Sequence, residues 1–238
     1  MARLEFSGHE STTHRAIVVS LDLGGFSNFC NQSEPSVAVT VPNLIKRVFD
    51  LLNEFFRPEE QPDVLFPVTK EDGRLIPPHF IKYTGDGALM FWFCSPKTQF
   101  SQKFCNLVVE SMRNFQIKLS TQLPKWEKEW RIQKLPRNIR VGIATGVVYA
   151  LRPPHMFTSL TAAYDFVGYC INLAVRLQSH CPPLGFLVHG NLHPELQGME
   201  HLRAIKLKGS QEEPVSLFSE DLKRVTPIEL QRKFVRSS

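Results

Sequence analysis

Two short apolar runs, HFIKY and ALMFWF, lie within residues 79–93 and are separated only by the segment Thr84-Gly85-Asp86-Gly87. Glycine permits positive φ and aspartate bonds its own backbone, so this segment predicts a tight turn. Two strand-like runs joined by so short a turn pair as an antiparallel hairpin. The chain is therefore committed to an antiparallel sheet, and one carboxylate stands at the tip of the hairpin.

The segments before the hairpin predict a strand, a helix and a loop. The apolar run AIVVSLDLGGF, residues 16–26, predicts a buried strand that ends in a glycine turn, with Asp22 near its end. Apolar residues then recur at helical spacing after Pro42, which predicts an amphipathic helix over about residues 41–56. Residues 57–79 are rich in proline and charge, and they predict a loop or a ragged hairpin insertion.

The segments after the hairpin continue this alternation. A helix is predicted over about residues 98–121, followed by the polar connection PKWEKEWRIQKLPRN and the strand IRVGIATGVVYAL. The stretch DFVGYCINLAVRLQSH has helical periodicity, with Asn172 and Arg176 four residues apart on one face. Short strands are predicted around GFLVHG and AIKLKG.

The predicted order of elements is βαββαβ with later additions. This order is typical of an α+β fold with a ferredoxin-like core, in which helices pack on one face of an antiparallel sheet. The chain has 238 residues and 42% hydrophobic side chains, which is enough for one sizeable core, and no linker divides it. We expect an N-terminal extension over residues 1–15, one folded domain over 16–219 and a basic C-terminal tail over 220–238.

Composition narrows the classes of function. The 28 Lys and Arg against 23 Asp and Glu give a charge of +5, which is too scattered to indicate nucleic-acid binding and which a polyphosphate substrate would explain as well. The five cysteines have no CxxC spacing, which indicates reduced thiols rather than a zinc site or a disulfide framework. No apolar run approaches the ~20 residues of a membrane span, and the polar start MARLEFSGHESTTH lacks the core of a signal peptide. We expect a soluble, cytoplasmic protein.

Two predicted strand ends each carry one aspartate, Asp22 and Asp86. If the two strands are adjacent, the carboxylates lie side by side, flanked by glycines that let a phosphate approach. Oxygen ligands suit Mg²⁺, so such a pair is suited to hold divalent ions against a triphosphate. The alternative is two turn aspartates that never meet.

The sequence at this point resembles a known family. The segments VVSLDLGGFSNF, IKYTGDGALMF, IRVGIATGVV, YDFVGYCINLAVRLQ and IKLKGSQEEPVSLF look like the successive motifs of class III nucleotidyl cyclases, in their usual order. The resemblance covers about residues 16–219, which would make that segment the catalytic domain. Each motif is weak alone, and the five in order are specific.

The resemblance implies a homodimer with two active sites, each built from both chains. Asp22 and Asp86 of one chain would bind two Mg²⁺ or Mn²⁺ ions, which activate the ribose 3′-hydroxyl and grip the leaving pyrophosphate. Asn172 and Arg176 of the partner chain would orient the ribose and stabilise charge on the α-phosphate. Without the surrounding motifs, both would be read as ordinary polar residues on a helix surface.

The resemblance also assigns three residues to the rest of the nucleotide. Lys208 would meet the terminal phosphates, although alone it would be read as a solvated lysine on an edge strand. Lys82 and Asp165 would bind the base, one as donor and the other as acceptor. Guanylyl members of the family typically carry Glu and Cys at these two positions, so GTP is the least suitable substrate. The polarity of the pair leaves adenine, cytosine and uracil open.

Two features resemble the stand-alone pyrimidine cyclases of bacterial Pycsar anti-phage systems. The chain is almost entirely catalytic domain, and the segment between Asp22 and Asp86 is long and rich in proline. Such enzymes make cyclic UMP or cyclic CMP, which triggers a separate effector protein. The resemblance therefore implies a uridylate cyclase that converts UTP to cyclic UMP as an antiviral second messenger. The alternatives are an adenylate cyclase that makes cyclic AMP and a cytidylate cyclase that makes cyclic CMP.

A catalytically dead cyclase fold that serves as a regulatory module is the alternative of another class. Such pseudoenzymes usually lose a metal-binding aspartate or the arginine. This chain keeps Asp22, Asp86 and Arg176, which favours an active enzyme.

Overall fold

The computed structural model describes residues 12–31, 35–56, 77–131, 135–136, 138–151, 165–181, 185–207, 212–223 and 234–235. The strands are β1 (Thr12–Gly24), β2 (Phe80–Tyr83), β3 (Ala88–Cys94), β4 (Asn138–Leu151), β5 (Asp165–Val167), β6 (Phe186–His189), β7 (Met199–Lys206), β8 (Glu212–Phe218) and β9 (Phe234–Val235). The helices are α1 (Phe26–Cys30), α2 (Pro35–Phe55), α3 (Gln102–Trp130), α4 (Tyr169–His180) and α5 (Ser219–Leu222), with a 3-10 turn at Gly190–Leu192.

Within these described ranges, nine strands form one sheet. Its order is β2-β3-β1-β4-β6-β8-β7-β9, and β5 pairs with β4 outside this path. The pairs β2 with β3, β3 with β1 and β1 with β4 are all antiparallel, while β4 pairs with β6 in parallel. The first four strands have the order of a ferredoxin-like core, so the predicted α+β class is confirmed.

The central strands are buried on both faces. Along β1, Ile17 and Val19 face a core shared with α2 and α3, while Ala16 and Val18 face a second core shared with α4. The prediction that the helices pack on one face was therefore wrong, because α4 covers the face opposite α2 and α3. The physical reason is visible in residues 16–19, AIVV, which are continuously apolar as expected of a strand covered on both sides.

Both long helices exceed their predicted bounds and contain a proline. Helix α2 begins at Pro35 with Pro42 inside it, and α3 continues through Pro124 to Trp130 instead of ending near residue 121. An internal proline costs a helix about 3 kcal/mol. Burying each large apolar side chain beyond it, such as Leu44 after Pro42 and Trp126 after Pro124, stabilises the helix by about 1.5–3 kcal/mol. Tertiary packing therefore outweighs the local signal.

The strands of the hairpin and of the central sheet were predicted correctly. β2 and β3 form the hairpin, and β4 coincides with IRVGIATGVVYAL. The stretch that begins at Asp165 is more than a helix, because β5 comes first and α4 begins only at Tyr169. Of the insertion predicted over residues 57–79, residues 57–76 lie outside the described residues. The division into an extension, a domain and a tail stays a prediction.

Two chemical facts complete the fold. All five cysteines are free, and four of them are buried. Among the described residues, no helix combines the length and the apolar character needed to cross a membrane.

Candidate active site

The tip of the hairpin lies directly against the end of β1. Leu21 pairs with Ala88, so β1 and β3 run side by side up to the two predicted aspartates. Gly87 has no room for a side chain, because a Cβ there would lie 2.2 Å from the carbonyl oxygen of Leu21. This close packing brings Asp86 beside Asp22, and the two carboxyl groups share a hydrogen bond. The sequence left open whether the two aspartates lie side by side or never meet, and in the structure they lie side by side.

The surroundings of Asp86 favour its neutral form. Burial is the main cause that raises the pKa of Asp86 from 3.8 to about 6, and the charge of Asp22 and the hydrogen bond with it act in the same direction. A backbone hydrogen bond and the positive charge of Arg140 oppose the shift. Two carboxylates this close repel each other when both are ionised, and a divalent cation between them would remove that repulsion.

Asp22 has two partners that sequence reasoning missed. Arg140 lies opposite Asp22 in the register of β1 and β4, and its Nη2 forms an ion pair with Asp22 Oδ2. Gln178 of α4 is buried and donates from Nε2 to the same oxygen at 3.0 Å. Pairing of β1 with β4 aligns Arg140 with Asp22, but that register is fixed only in the folded sheet.

The donor set of the two aspartates fits a hard divalent cation. Carboxylate oxygens are the ligands that Mg²⁺ and Mn²⁺ prefer, and no atom lies within 4 Å of where a side chain would begin at Gly85, so there is open space on that side of Asp86. In the part of the chain that the structure describes, no group of three or more His, Cys, Asp and Glu side chains is placed to hold a metal ion. The protein would therefore supply Asp22 and Asp86, and water and phosphate oxygens would supply the remaining ligands.

The two predicted base-binding residues form an ion pair with each other. Lys82 Nζ lies 2.8 Å from Asp165 Oδ1, and the two side chains are 46% and 60% exposed. The hydrogen bond from Lys82 lowers the pKa of Asp165, assisted by the amide of Phe166, which donates to the same oxygen at 2.9 Å. A donor and an acceptor therefore lie side by side at the surface. A base could bind there by accepting a hydrogen bond from Lys82 and donating one to Asp165.

Aromatic packing brings this pair together. Lys82 lies on β2 and Asp165 opens β5, which is paired to the far end of β4. The ring of Phe166 packs on Phe80 and Phe91, with centroid distances of 5.0 and 5.3 Å, so β5 is held over the face of the hairpin. Phe166 is adjacent to Asp165 on β5, and Phe80 is two residues from Lys82 on β2, so packing of the two rings brings the charged residues together.

The remaining predicted site residues are on or beyond α4. Asn172 is exposed and Arg176 is half-buried, and both lie on this helix at a spacing that puts them on one side. Among the described residues, neither side chain forms a hydrogen bond or an ion pair with Asp22 or Asp86. Lys208 lies outside the described residues. One chain thus brings Asp22 to Asp86, the candidate metal pair, and Lys82 to Asp165, the candidate base-binding pair. Asn172 and Arg176 are bonded to neither aspartate of the metal pair.

Comparison with solved structures shows that the chain has the fold of the catalytic domains of adenylyl and guanylyl cyclases. The adenylyl cyclase CyaB from P. aeruginosa superposes with a TM-score of 0.61 at 17% identity, over 88% of this chain and 96% of that one. The guanylyl cyclase Cya2 gives a TM-score of 0.58 at 18% identity, over 88% and 93% of the two chains. The guanylate cyclase domain of RhGC from Catenaria anguillulae, in complex with GTP, gives 0.52 at 13% identity, over 87% and 98%. No protein-family model and no curated protein sequence matches the chain.

Proposed function

We propose that the protein is a nucleotidyl cyclase, which converts a nucleoside triphosphate to its 3′,5′-cyclic monophosphate and pyrophosphate. The contact between Asp22 and Asp86 carries this proposal. A fold used only as a binding module has no need of two carboxyl groups in contact, because their repulsion when both are ionised costs stability. The likeness to adenylyl and guanylyl cyclases adds support from the fold.

Each site residue takes one part of the reaction. The 3′-hydroxyl gives up its proton to solvent and its oxygen bonds to the α-phosphorus. The bond from that phosphorus to the β-phosphate oxygen breaks, and pyrophosphate leaves with the electron pair. Two divalent cations, Mn²⁺ or Mg²⁺, held by Asp22 and Asp86 would supply positive charge at the attacking and leaving oxygens. Asn172 orients the ribose, and Arg176 stabilises the charge that develops on the α-phosphate. These roles are the ones that the motif resemblance implied.

Two positively charged side chains would bind the outer phosphates. Lys208 acts as a point charge on the terminal phosphates. Arg140 forms an ion pair with Asp22, and once cations neutralise that carboxylate its guanidinium is free to turn to a phosphate oxygen. Arg140 therefore joins the proposed substrate-binding residues.

We propose that the active form is a homodimer with two active sites shared between the chains. Asn172 is exposed, and neither it nor the half-buried Arg176 bonds to the aspartates of its own chain, which supports this arrangement. An apolar patch also stands uncovered on the sheet, where Tyr149 pairs with Val167 and Val147 lies two residues along the same strand. A second copy of the chain would bury this patch.

The base is the finer part of the proposal. We propose UTP as substrate and cyclic UMP as product, because the long, proline-rich segment between Asp22 and Asp86 resembles that of the Pycsar pyrimidine cyclases. Lys82 and Asp165 favour ATP as the second candidate, since one donor beside one acceptor matches N1 and the amine of adenine. CTP remains compatible with the same pair of groups. A small pocket would favour the pyrimidines, and a deeper one ATP.

The biological setting follows from the product. A cyclic nucleotide would act as a second messenger, read by a separate effector protein in anti-phage defence. We propose a cytoplasmic location, since the chain keeps five free thiols, which persist in reducing compartments.

Incubation with each of the four nucleoside triphosphates and Mn²⁺, followed by mass identification of products, tests the proposal. A cyclic monophosphate that disappears when Mn²⁺ is chelated is the expected result. Absence of any cyclic product from a folded dimer would leave a dead cyclase fold, that is, a regulatory module. A clear preference for ATP would reject the uridylate assignment and retain the cyclase.

A further inference from the structure

Gln178 is a buried polar side chain with a partner in the candidate metal pair. It is 6% exposed and lies on α4 among the apolar residues that cover the sheet. A buried amide costs free energy unless its donors are bonded. Its Nε2 donates to Asp22 Oδ2 at 3.0 Å, so the bond that satisfies Gln178 is a bond to Asp22.

The backbone holds Gln178 in place. Gly142 of β4 lies so close to α4 that an added Cβ would stand 2.2 Å from the carbonyl oxygen of Ala174 and 2.4 Å from the amide nitrogen of Gln178. Helix and strand are therefore in backbone contact beside Asp22. A side chain that starts from so fixed a position keeps its amide in one place with little loss of conformational entropy.

The donors to Asp22 orient it without using both of its oxygens. Gln178 and Arg140 both reach Oδ2, so neither bond uses Oδ1. The two donors also differ, because Arg140 is charged and partly exposed whereas Gln178 is neutral and buried. Arg140 can leave for a phosphate, whereas the side-chain hydrogen bond that Gln178 donates within the described residues is the one to Asp22.

We infer that Gln178 is a positioning residue that fixes the orientation of Asp22 for divalent-cation binding and ties the metal pair to α4. This inference rests on the proposed metal-dependent function. The opposite, exposed side of the same helix carries Asn172 and Arg176. A shift of α4 that moves those two residues therefore also moves the donor that orients Asp22. Residues that hold a metal ligand from behind typically account for about tenfold to a hundredfold in metal affinity.

The test is Mn²⁺ binding to the nucleotide-free protein, measured by electron paramagnetic resonance, for wild type and Gln178→Met. Methionine keeps the length and the apolar packing of the side chain but cannot donate to Asp22. We expect Mn²⁺ affinity to fall about tenfold. In the cyclase assay, the Mn²⁺ concentration for half-maximal rate should rise by a similar factor, while the KM for nucleotide at saturating Mn²⁺ stays within about twofold.

Gln116→Met is the matched control. Gln116 is also a buried glutamine, but its amide donates to the carbonyl oxygens of Ile139 and Gly185, away from the aspartates. The control should lose thermal stability and keep wild-type Mn²⁺ affinity. If Gln178→Met does not fold, Gln178→Asn, which draws the amide back by one methylene, takes its place with the same expected loss.

The outcomes separate this inference from the proposed function. Equal Mn²⁺ affinity in wild type and Gln178→Met would overturn the positioning role, even if the wild type makes a cyclic nucleotide. An equal loss in Gln116→Met would also overturn it, since the effect would then be general destabilisation. A selective loss in Gln178→Met supports the inference, even if no cyclic product is ever found. A wild type that binds no Mn²⁺ refutes it.

Discussion

The candidate metal pair, Asp22 with Asp86, and the candidate base-binding pair, Lys82 with Asp165, place aspartates in opposite surroundings. Asp22 is 17% exposed, takes an arginine and a buried glutamine as partners, and lies against Asp86. Asp165 is 60% exposed and has a single lysine partner that is itself about half exposed. An exposed ion pair contributes about 0–1 kcal/mol, whereas breaking a buried one leaves an uncompensated charge that costs several kcal/mol.

This difference separates what the fold fixes from what the substrate must fix. The metal pair is organised by backbone contacts that leave no room for adjustment, as at Gly87. The base-binding pair consists of two flexible side chains that lie over an aromatic stack, and solvent competes for hydrogen bonds to both. We therefore expect the chemistry to be intolerant of substitution and the choice of base to be tunable.

The largest expected effect is the loss of the metal pair. Asp22→Ala or Asp86→Ala should lower the rate of cyclic nucleotide formation by at least about a thousandfold, because each removes a ligand whose cation stabilises the transition state by several kcal/mol. Product formation measured by mass, with dimer formation and thermal melting as checks on folding, tests this. Asp50→Asn, an exposed carboxylate of α2, is the control and should keep the wild-type rate. Near wild-type cyclisation in a folded Asp86→Ala dimer would refute the two-metal assignment.

A second, large effect comes from sharing the site between chains. Asp86→Ala and Arg176→Ala should each be inactive, and mixing them should restore activity, since each heterodimer then has one intact site. Random exchange at equal concentrations gives about a quarter of wild-type activity, because half of the dimers are mixed and each has one working site. Subunit exchange is checked with two differently tagged variants. Exchange without recovered activity would mean that each active site lies within one chain.

The raised pKa of Asp86, caused mainly by burial and also by the neighbouring Asp22, predicts a pH dependence of smaller size. The pKa of Asp86 is about 6 in the folded chain and near 3.8 when unfolded, so the folded state binds the proton more tightly. The stability from this group is fully present below the unfolded pKa and is lost as pH rises through about 6. With metal chelated, the free energy of unfolding should therefore fall by about 1 kcal/mol between pH 5 and pH 7, allowing for partial exposure.

Asp86→Asn isolates the contribution of this carboxyl group to the pH dependence of stability. The amide cannot ionise, so the variant should lack that part of the pH dependence and be more stable than wild type at pH 7 without metal, while making no cyclic product. Urea denaturation of both proteins in the presence of a chelator measures the difference. Parallel pH profiles of wild type and variant would show that the pKa of Asp86 is not raised in the folded protein.

The parts of the fold that follow from local patterns were predictable, and those that depend on distant packing were not. Two apolar runs and the chemistry of the turn between them identified the hairpin around Asp86, which is set by neighbouring residues. The extension of α3 through Pro124 depends on where Trp126 and Trp130 find cover, and Arg47 from α2 provides part of it at 4.9 Å from the ring of Trp130. A sequence window of one helix does not contain that partner.

The candidate site divides in the same way. Asp22 and Asp86 stand out because glycines flank strand ends, and the motif resemblance named Lys82, Asp165 and Arg176 together with them. Gln178 carries no such signal, since a glutamine two residues beyond an arginine on a helix is ordinary. It acquires a role only because Gly142 lets α4 approach the sheet beside Asp22.

The smallest expected effect is at the base-binding pair, Lys82 and Asp165. Lys82→Ala and Asp165→Ala should each change stability by less than about 1 kcal/mol, because the ion pair is exposed. A bound base covers both groups, and a mismatched polar group then costs about 1–3 kcal/mol, so each variant should lose about tenfold in discrimination among the triphosphates. Its rate with the best substrate should fall less than its selectivity does, since the metal pair is untouched.

Initial rates with the four triphosphates, for wild type and both variants, decide this. Our proposal expects UTP to be cyclised well ahead of ATP by the wild type, and the ratio of the two rates to approach one in both variants. Lys82→Arg is the matched control, because it keeps the charge and a donor near Asp165 and should retain most of the selectivity. If the selectivity survives both alanine substitutions, the shape of the pocket chooses the base. The ion pair between Lys82 and Asp165 would then serve only to hold β5 against the hairpin.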